Sequence, residues 1–340
     1  MKIAITADPE IPVPPQLYGG IERIIDMLVR GLVERGHEVT LFAHPDSVVP
    51  ARLVPYVGLR PQNPRDTLRN TWIITRELAR GQYDLVHSFG RLAYLLPILP
   101  WRIPKLMSYQ REPTISGIRC AMQWSKPGTL TFTGCSEYIA AQIRPYASAF
   151  SIYNGVPSDS YDFNPKVGDD GPLVFLGRIE HVKGTHLAIE IAKSTQHRLI
   201  IAGNVPIDAQ SQHYFKTQVQ PFIDQDQIQY IGPVNDAQKN ILLGRAKAFL
   251  MPILWNEPFG IVMAEAMACG TPVIGMARGS VREVVDHGLT GFIANDLSEM
   301  INAVGEISAI SRTIVREVFL KRFSAHKIVA DYERLYRQLL

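Results

Sequence analysis

Two glutamates eight positions apart, Glu257 and Glu265 in WNEPFGIVMAEAMACGTPVIG (255–275), have the type and spacing to do chemistry. AFLMPIL before them reads as a strand and GIVMAEAMAC as a helix, so Glu257-Pro258-Phe259-Gly260 is the turn between. Pro258 suits a helix start, where a missing N–H costs nothing. The first N–H groups of a helix lack intrahelical acceptors. Those of Phe259, Gly260, Ile261 and Val262 would therefore form an anion site suited to phosphate, with Gly260 admitting a ligand close to the backbone. A helix rising ~1.5 Å per residue would hold the two carboxylates ~12 Å apart. That is about the span from the sugar of a nucleotide-sugar, across its diphosphate, to the ribose. Glu257 would then hold sugar hydroxyls and Glu265 ribose hydroxyls. A loop glutamate and an exposed helix glutamate are the bland alternative. An unpaired carboxylate among Ile261, Val262, Met263 and Met267 would be costly, which weighs against it.

The elements that must position these residues alternate along the whole chain. KIAITA (2–7) reads as a buried strand, and Ile21, Ile24, Leu28 and Leu32 mark one face of a helix that Gly36 stops. EVTLFAH, YDLVHSFG, PKLMSYQ and TLTFTGCS follow as strands. Continuous apolar strands between helices indicate a parallel sheet covered on both faces. The pattern breaks in the Pro/Gly-rich connection 151–172 and restarts with LVFLGR, RLIIAG, IQYIGPV, AFLMPIL and PVIGM, with helices near 185–195, 208–224 and 236–246. The expected organisation is an N-terminal domain over 1–155, a second domain over 156–322, and a closing helix over 323–340. Ligands of such sheets lie at the carboxyl ends of the strands.

Other candidates stand at strand ends. Arg178 and Lys183 in LGRIEHVKG follow a strand and could neutralise a diphosphate, although a solvated basic loop is common. His87 ends the strand of YDLVHSFG; a lone histidine is more often structural than catalytic. Arg111 and Glu112 in SYQREP are expected acceptor contacts. Asp224-x-Asp226 has the look of a metal-binding D-x-D, but more readily closes an amphipathic helix on its polar side. Gly19-Gly20 in QLYGGIER does not fit G-x-G-x-x-G, which sets aside a dinucleotide cofactor.

EPFGIVMAE resembles the E-P-F-G-(x)4-E signature of the retaining glycosyltransferases of family four. YGGIER is similar to that family's N-terminal glycine loop, FLGRIEHVKG to its G-R-(x)4-K-G donor motif, and IGPV and GTPVIG match in type and order. The resemblance covers nearly the whole chain. It implies an α/β GT-B fold, two Rossmann-like domains facing a central cleft, with the C-terminal helix crossing back to the first. It implies that Arg178 and Lys183 stabilise a departing nucleoside diphosphate, that Gly19 and Gly20 lie against the donor phosphates, and that His87 faces the donor sugar. Strand ends carrying Asn204 and Val234 would line the nucleotide pocket. The expected reaction moves a hexose, UDP-hexose being the favoured donor, to a hydroxyl of a glycan, lipid-linked glycan or small molecule. No cofactor and no metal are expected, because the helix mouth and two cations suffice. A nucleotide-sugar epimerase of similar fold and a non-catalytic nucleotide-sugar-binding protein are the rivals.

Composition limits the partners. The net charge of +3 over 340 residues does not suggest nucleic acid. Residues 1–150 hold 17 Lys/Arg against 12 Asp/Glu, a mild excess that suits an anionic ligand or a membrane surface. The three cysteines match no metal-ligand pattern and fit a reducing cytosol, at the inner face of the membrane if the protein touches one. LAYLLPILPW (92–101), flanked by Arg91, Arg102 and Lys105, could dip into an interface, but Pro97 and Pro100 favour a core segment.

Overall fold

The computed structural model describes residues 1–15, 19–168 and 170–340. Among these the chain divides into two compact units, Met1–Gly155 with Ala325–Leu340, and Val156–Ser324.

The first unit holds strands β1 (Lys2–Thr6), β2 (Glu38–Ala43), β3 (Arg52–Pro55), β4 (Leu85–Ser88), β5 (Lys105–Tyr109), β6 (Leu130–Gly134) and β7 (Ala149–Ser151). They form one parallel sheet ordered β3-β2-β1-β4-β5-β6-β7, with His87 beside Ile5 on β1 and Leu106 on β5. Its helices are α1 (Gly20–Glu34), α2 (Pro64–Arg80), α3 (Ile115–Trp124) and α4 (Glu137–Ile143). The central strands read as apolar runs because both faces are covered. The edge strands β3 and β7 went unrecognised in the sequence: they are three or four residues long and half exposed, so they carry no continuous apolar signature.

The second unit holds β8 (Leu173–Leu176), β9 (Leu199–Ala202), β10 (Ile228–Tyr230), β11 (Ala248–Met251), β12 (Val273–Met276) and β13 (Gly291–Ala294), ordered β10-β9-β8-β11-β12-β13 and parallel throughout. Its helices are α5 (Thr185–Thr195), α6 (Ala209–Tyr214), α7 (Asp236–Arg245), α8 (Ile261–Ala268), α9 (Val281–Val284), α10 (Leu297–Glu306) and α11 (Arg312–Arg322). The single helix expected over 208–224 is instead α6, a π-helical stretch and a short 3-10 turn containing Pro221, which ends the regular ladder. Asp224 and Asp226 therefore close no helix. Asp224 Oδ1 accepts the N–H groups of Asp226 and Ile228, building a turn.

The final helix, α12 (Ala325–Leu339), belongs to the first unit and packs on α1. Gly31 allows the approach, since a Cβ there would meet Val329 Cγ2 at 2.6 Å. Arg35, His37 and Arg337 all reach Glu333, and Arg337 and then Arg35 pull its carboxyl down to about 2. Tyr332 and Tyr336 are buried, each contributing roughly 1.5–3 kcal/mol by analogy with other large apolar side chains.

Candidate active site

In the second unit, parallel strands bring the turns after β8, β9, β10, β11 and β12 to one edge of the sheet. Two of these turns are stitched together. Leu254 N–H donates to the Val182 carbonyl at 2.8 Å. Gly184 adopts φ +75°, and a Cβ there would meet the Pro252 carbonyl oxygen at 1.9 Å, so only glycine permits the approach. The consequence is local chemistry. Lys183 Nζ donates to Glu257 Oε2 at 2.8 Å, Trp255 Nε1 donates to the same oxygen at 3.1 Å, and Lys183 sits 4.6 Å over the Trp255 ring. Two residues 74 positions apart in sequence thus become one ion pair, with side chains only 18% and 12% exposed.

The Glu257 backbone is clamped from the β12 side. Ser280 N–H donates to its carbonyl at 2.9 Å, and Gly279 at φ +56° leaves no room for a Cβ, which would lie 2.3 Å from that oxygen. Ser280 Oγ is buried and has no hydrogen-bond partner.

The turn continues into α8 through Gly260 at φ +72°, and no side chain caps the helix. Met263 N–H already bonds the Gly260 carbonyl, which leaves Ile261 and Val262 at the uncapped mouth. Phe259 precedes the cap, and its ring is buried against Phe323 at 5.9 Å. Because α8 begins at Ile261, four residues beyond Glu257, helical rise does not set the spacing of the two glutamates, contrary to the expected ~12 Å along one helix axis.

Glu265 is buried, and it is paired. Tyr161 OH donates to its Oε1 at 2.8 Å and Lys239 Nζ donates to the same oxygen. Burial first, and then the Glu265 charge, push the Tyr161 phenol far above its ordinary range. Pairing of this kind is what lets charges stay in an apolar interior. The cost of an unpaired carboxylate therefore does not arise at Glu265, whose partners come from 104 and 26 positions away.

Arg178 follows β8, is 40% exposed, and pairs with Glu180 at 3.0 Å. Asn204 follows β9 with its side chain exposed and its carbonyl accepting Ile179 N–H at 3.0 Å. Gly203 at φ +142° lets these two turns touch, since a Cβ would lie 1.8 Å from the Gly177 carbonyl. Val234, half-buried, precedes the capping box of Asn235 and Gln238 on α7.

In the first unit, His87 is fully buried on β4. Its Nδ1 contacts Tyr336 OH and its Nε2 contacts Ser108 Oγ, each at 2.6 Å, and burial lowers it to about 3. With both ring nitrogens engaged beneath α12, it cannot face a sugar. The expectation of a site histidine is corrected: this is the core histidine that base frequencies favour.

Gly19, at φ +155°, caps α1, and Gly20 begins it, with no atom of the described residues within 4 Å of where a Cβ would stand; Gln16, Leu17 and Tyr18 of the same loop lie outside the described residues. Beside Gly19 lies a group the sequence did not disclose. Glu22 is buried, and burial first, with Asp8 and Glu10 adding, raises its carboxyl. Burial likewise raises Asp8, against the pull of Arg111 at 3.3 Å and of Arg91. Glu112 accepts Tyr138 OH at 2.8 Å. Arg111 and Glu112 are therefore both held at the carboxyl edge of this sheet.

The missed residues Trp255, Ser280, Tyr161, Lys239, Asp8 and Glu22 share no short motif. Trp255, two residues before Glu257, was the one within reach of a sequence argument.

Comparison with known proteins follows the same division. A model described as "Glycosyltransferase Family 4" matches residues 18–159, and one described as "Glycosyl transferases group 1" matches residues 160–307. A putative glycosyltransferase, YtcC of Bacillus subtilis, is 27% identical over 336 residues, covering 88% of this chain and 80% of its own. The phosphatidyl-myo-inositol mannosyltransferase of Mycobacterium tuberculosis is 25% identical over 379 residues, covering 100% of this chain and 96% of its own. The structure of Anabaena HepE in complex with UDP-glucose superposes with a TM-score of 0.74 at 18% identity, covering 99% of this chain and 100% of that one. Two parallel-sheet domains, two family models that abut at 159/160 and glycosyltransferase relatives along the full length agree: the chain belongs to glycosyltransferase family four, with the GT-B fold.

Proposed function

We propose that this glycosyltransferase moves a hexose from UDP-hexose to a hydroxyl acceptor with retention of anomeric configuration and without a metal ion. The observation that carries the reading is the Lys183–Glu257–Trp255 cluster beside the uncapped start of α8, at the same sheet edge as Arg178. HepE, a structural neighbour, was solved with UDP-glucose, which favours that donor class.

In this reading the diphosphate lies at the Ile261 and Val262 N–H groups, where the helix dipole favours anions. Arg178 and Lys183 take up the charge that develops as the anomeric carbon–oxygen bond to the phosphate breaks. The acceptor oxygen bonds the same face of that carbon, and its proton passes to a donor phosphate oxygen. Glu257 is a sugar-orienting carboxylate rather than a covalent nucleophile: the donor gives Lys183 a second anion and frees Glu257 for sugar hydroxyls. Glu265 offers Oε2 to the ribose, since both of its protein contacts fall on Oε1. Asn204 and Val234 flank the base. On the first unit, Arg111 and Glu112 contact the acceptor, joined by Asp8 and Glu22.

The test is a panel of nucleotide-hexoses and hydroxyl acceptors followed by NMR. The reading expects a product whose anomeric configuration matches the donor's. An inverted product refutes retention, free epimerised sugar supports an epimerase, and donor binding without turnover on any acceptor supports a sensor.

A further inference from the structure

The apolar run 92–101 does not reach the surface as a unit. Tyr94, Leu95, Ile98 and Leu99 are buried, the segment packs against the inner side of α2, and Lys105 folds back to donate to the carbonyls of Trp101 and Ile103. No described helix is long and apolar enough to cross a membrane.

The outer side of α2 has the opposite character. Its exposed positions are Pro64, Arg65, Leu68, Arg69, Trp72, Arg76, Ala79 and Arg80, and no carboxylate is among them. The spacing 65, 68, 69, 72, 76 defines one helical stripe. Leu68 is 70% exposed and Trp72 60%, in a helix whose opposite face buries Asn70, Thr71, Ile74 and Leu78. Arg76 lies 5.0 Å from the Trp72 ring, so cation and aromatic form one surface element. Of the two acidic residues of the helix, Glu77 pairs with Arg52, while Asp66, with its side chain only 13% exposed, accepts Arg60 N–H and lies 3.8 Å from Arg69 Nη1. The loop before α2 adds exposed Val57 and Leu59, and Asn70 pins it to the helix by exchanging two hydrogen bonds with Gly58.

We infer that this outer face of α2 docks the first unit on an anionic phospholipid bilayer. Trp72 and Leu68 enter the headgroup layer, and Arg65, Arg69, Arg76 and Arg80 pair with lipid phosphates. The combination selects a bilayer over a folded acidic partner. A tryptophan and a leucine side by side suit an interface that is apolar within and wet without. Four guanidiniums on a face with no exposed carboxylate, Asp66 beside Arg69 being mostly covered, suit a surface of phosphate groups. The inference rests on the surface alone and stands whether or not the proposed transfer reaction is correct.

Flotation of the whole protein with vesicles tests it. Wild type should float with phosphatidylcholine/phosphatidylglycerol vesicles, remain behind with phosphatidylcholine alone, and release as salt rises. Leu68→Ser with Trp72→Ser should abolish flotation. Replacing the arginines one at a time by Ser should lower partitioning about fivefold each. Melting temperature and nucleotide binding should be unchanged in every variant, because the substituted side chains are exposed and distant in sequence from the donor-site turns. Wild type that stays in solution with anionic vesicles overturns the inference. So does undiminished flotation of both variant classes. Loss in the arginine variants alone overturns it as well, since it would mean a polyanion-binding face with no insertion.

Discussion

Lys183→Ala and Arg178→Ala remove cations from the same proposed diphosphate site, yet the structure requires them to differ before any ligand is added. Lys183 and Glu257 are 18% and 12% exposed, and the lysine also lies over Trp255. Breaking a fully buried pair by deleting one partner costs about 3–5 kcal/mol, because the other charge is left uncompensated. With this residual exposure, about 2–3 kcal/mol is appropriate. For a unit of this size that corresponds to a fall of roughly 5–10 °C in melting temperature. Arg178, 40% exposed, pairs with Glu180 in the manner of a surface bridge worth about 0–1 kcal/mol, so its loss should shift melting by no more than about 3 °C. Calorimetric melting of the ligand-free variants makes the comparison, and Lys183→Ala/Glu257→Ala should recover part of the single-variant loss. Both single variants should lose about 10²–10³-fold in turnover at saturating donor. If Lys183→Ala melts with wild type, or if the double variant shows simple additivity, the ion pair does not organise this site.

Three further predictions concern other parts of the chain. His87 stays neutral down to about pH 3 when folded but titrates near about 6.5 when unfolded, so the unfolded chain binds the extra proton between those values. The stability present above about pH 6.5 should fall by about 1.4 kcal/mol per unit as pH drops through that window; His87→Gln should flatten this limb in acid-denaturation curves, and an unchanged limb contradicts it. Gly184→Ala should destabilise by more than about 1 kcal/mol and weaken nucleotide binding, because the new Cβ would collide with the Pro252 carbonyl at the seam that positions Lys183; a neutral melt and intact binding would refute the seam's role. UDP binding should survive EDTA in thermal shift, and loss restored by manganese would overturn metal independence.

The fold was largely legible because the central strands are short, buried and mainly apolar stretches between helical patterns, with polar residues such as His87 and Ser108 set among them, and the restart after residue 172 marks a second sheet. What escaped was short and marginal: β3 and β7 at the edge of the first sheet, and β13, which begins at a glycine pressed against Val273. The site was half legible. Glu257 and Lys183 were named for separate tasks, and only the folded chain shows them as a pair, because their meeting depends on Gly184 and Pro252 approaching across two turns. Glu265 was named without Lys239 and Tyr161 because those partners come from distant elements. His87 was misjudged for a simpler reason: a strand's carboxyl end has two faces, and α12, about 250 residues away, covers the one His87 occupies.

The division of labour between the two glutamates is the centre of the account, and calorimetry of free UDP and of the UDP-hexose found in the donor panel tests it directly on wild type, Glu257→Gln and Glu265→Gln. Glu265→Gln should weaken both ligands by about 1.5–3 kcal/mol, since both carry the ribose, whereas Glu257→Gln should weaken the nucleotide-sugar and spare free UDP. Equal weakening of free UDP by both variants, or no effect from either, would contradict it.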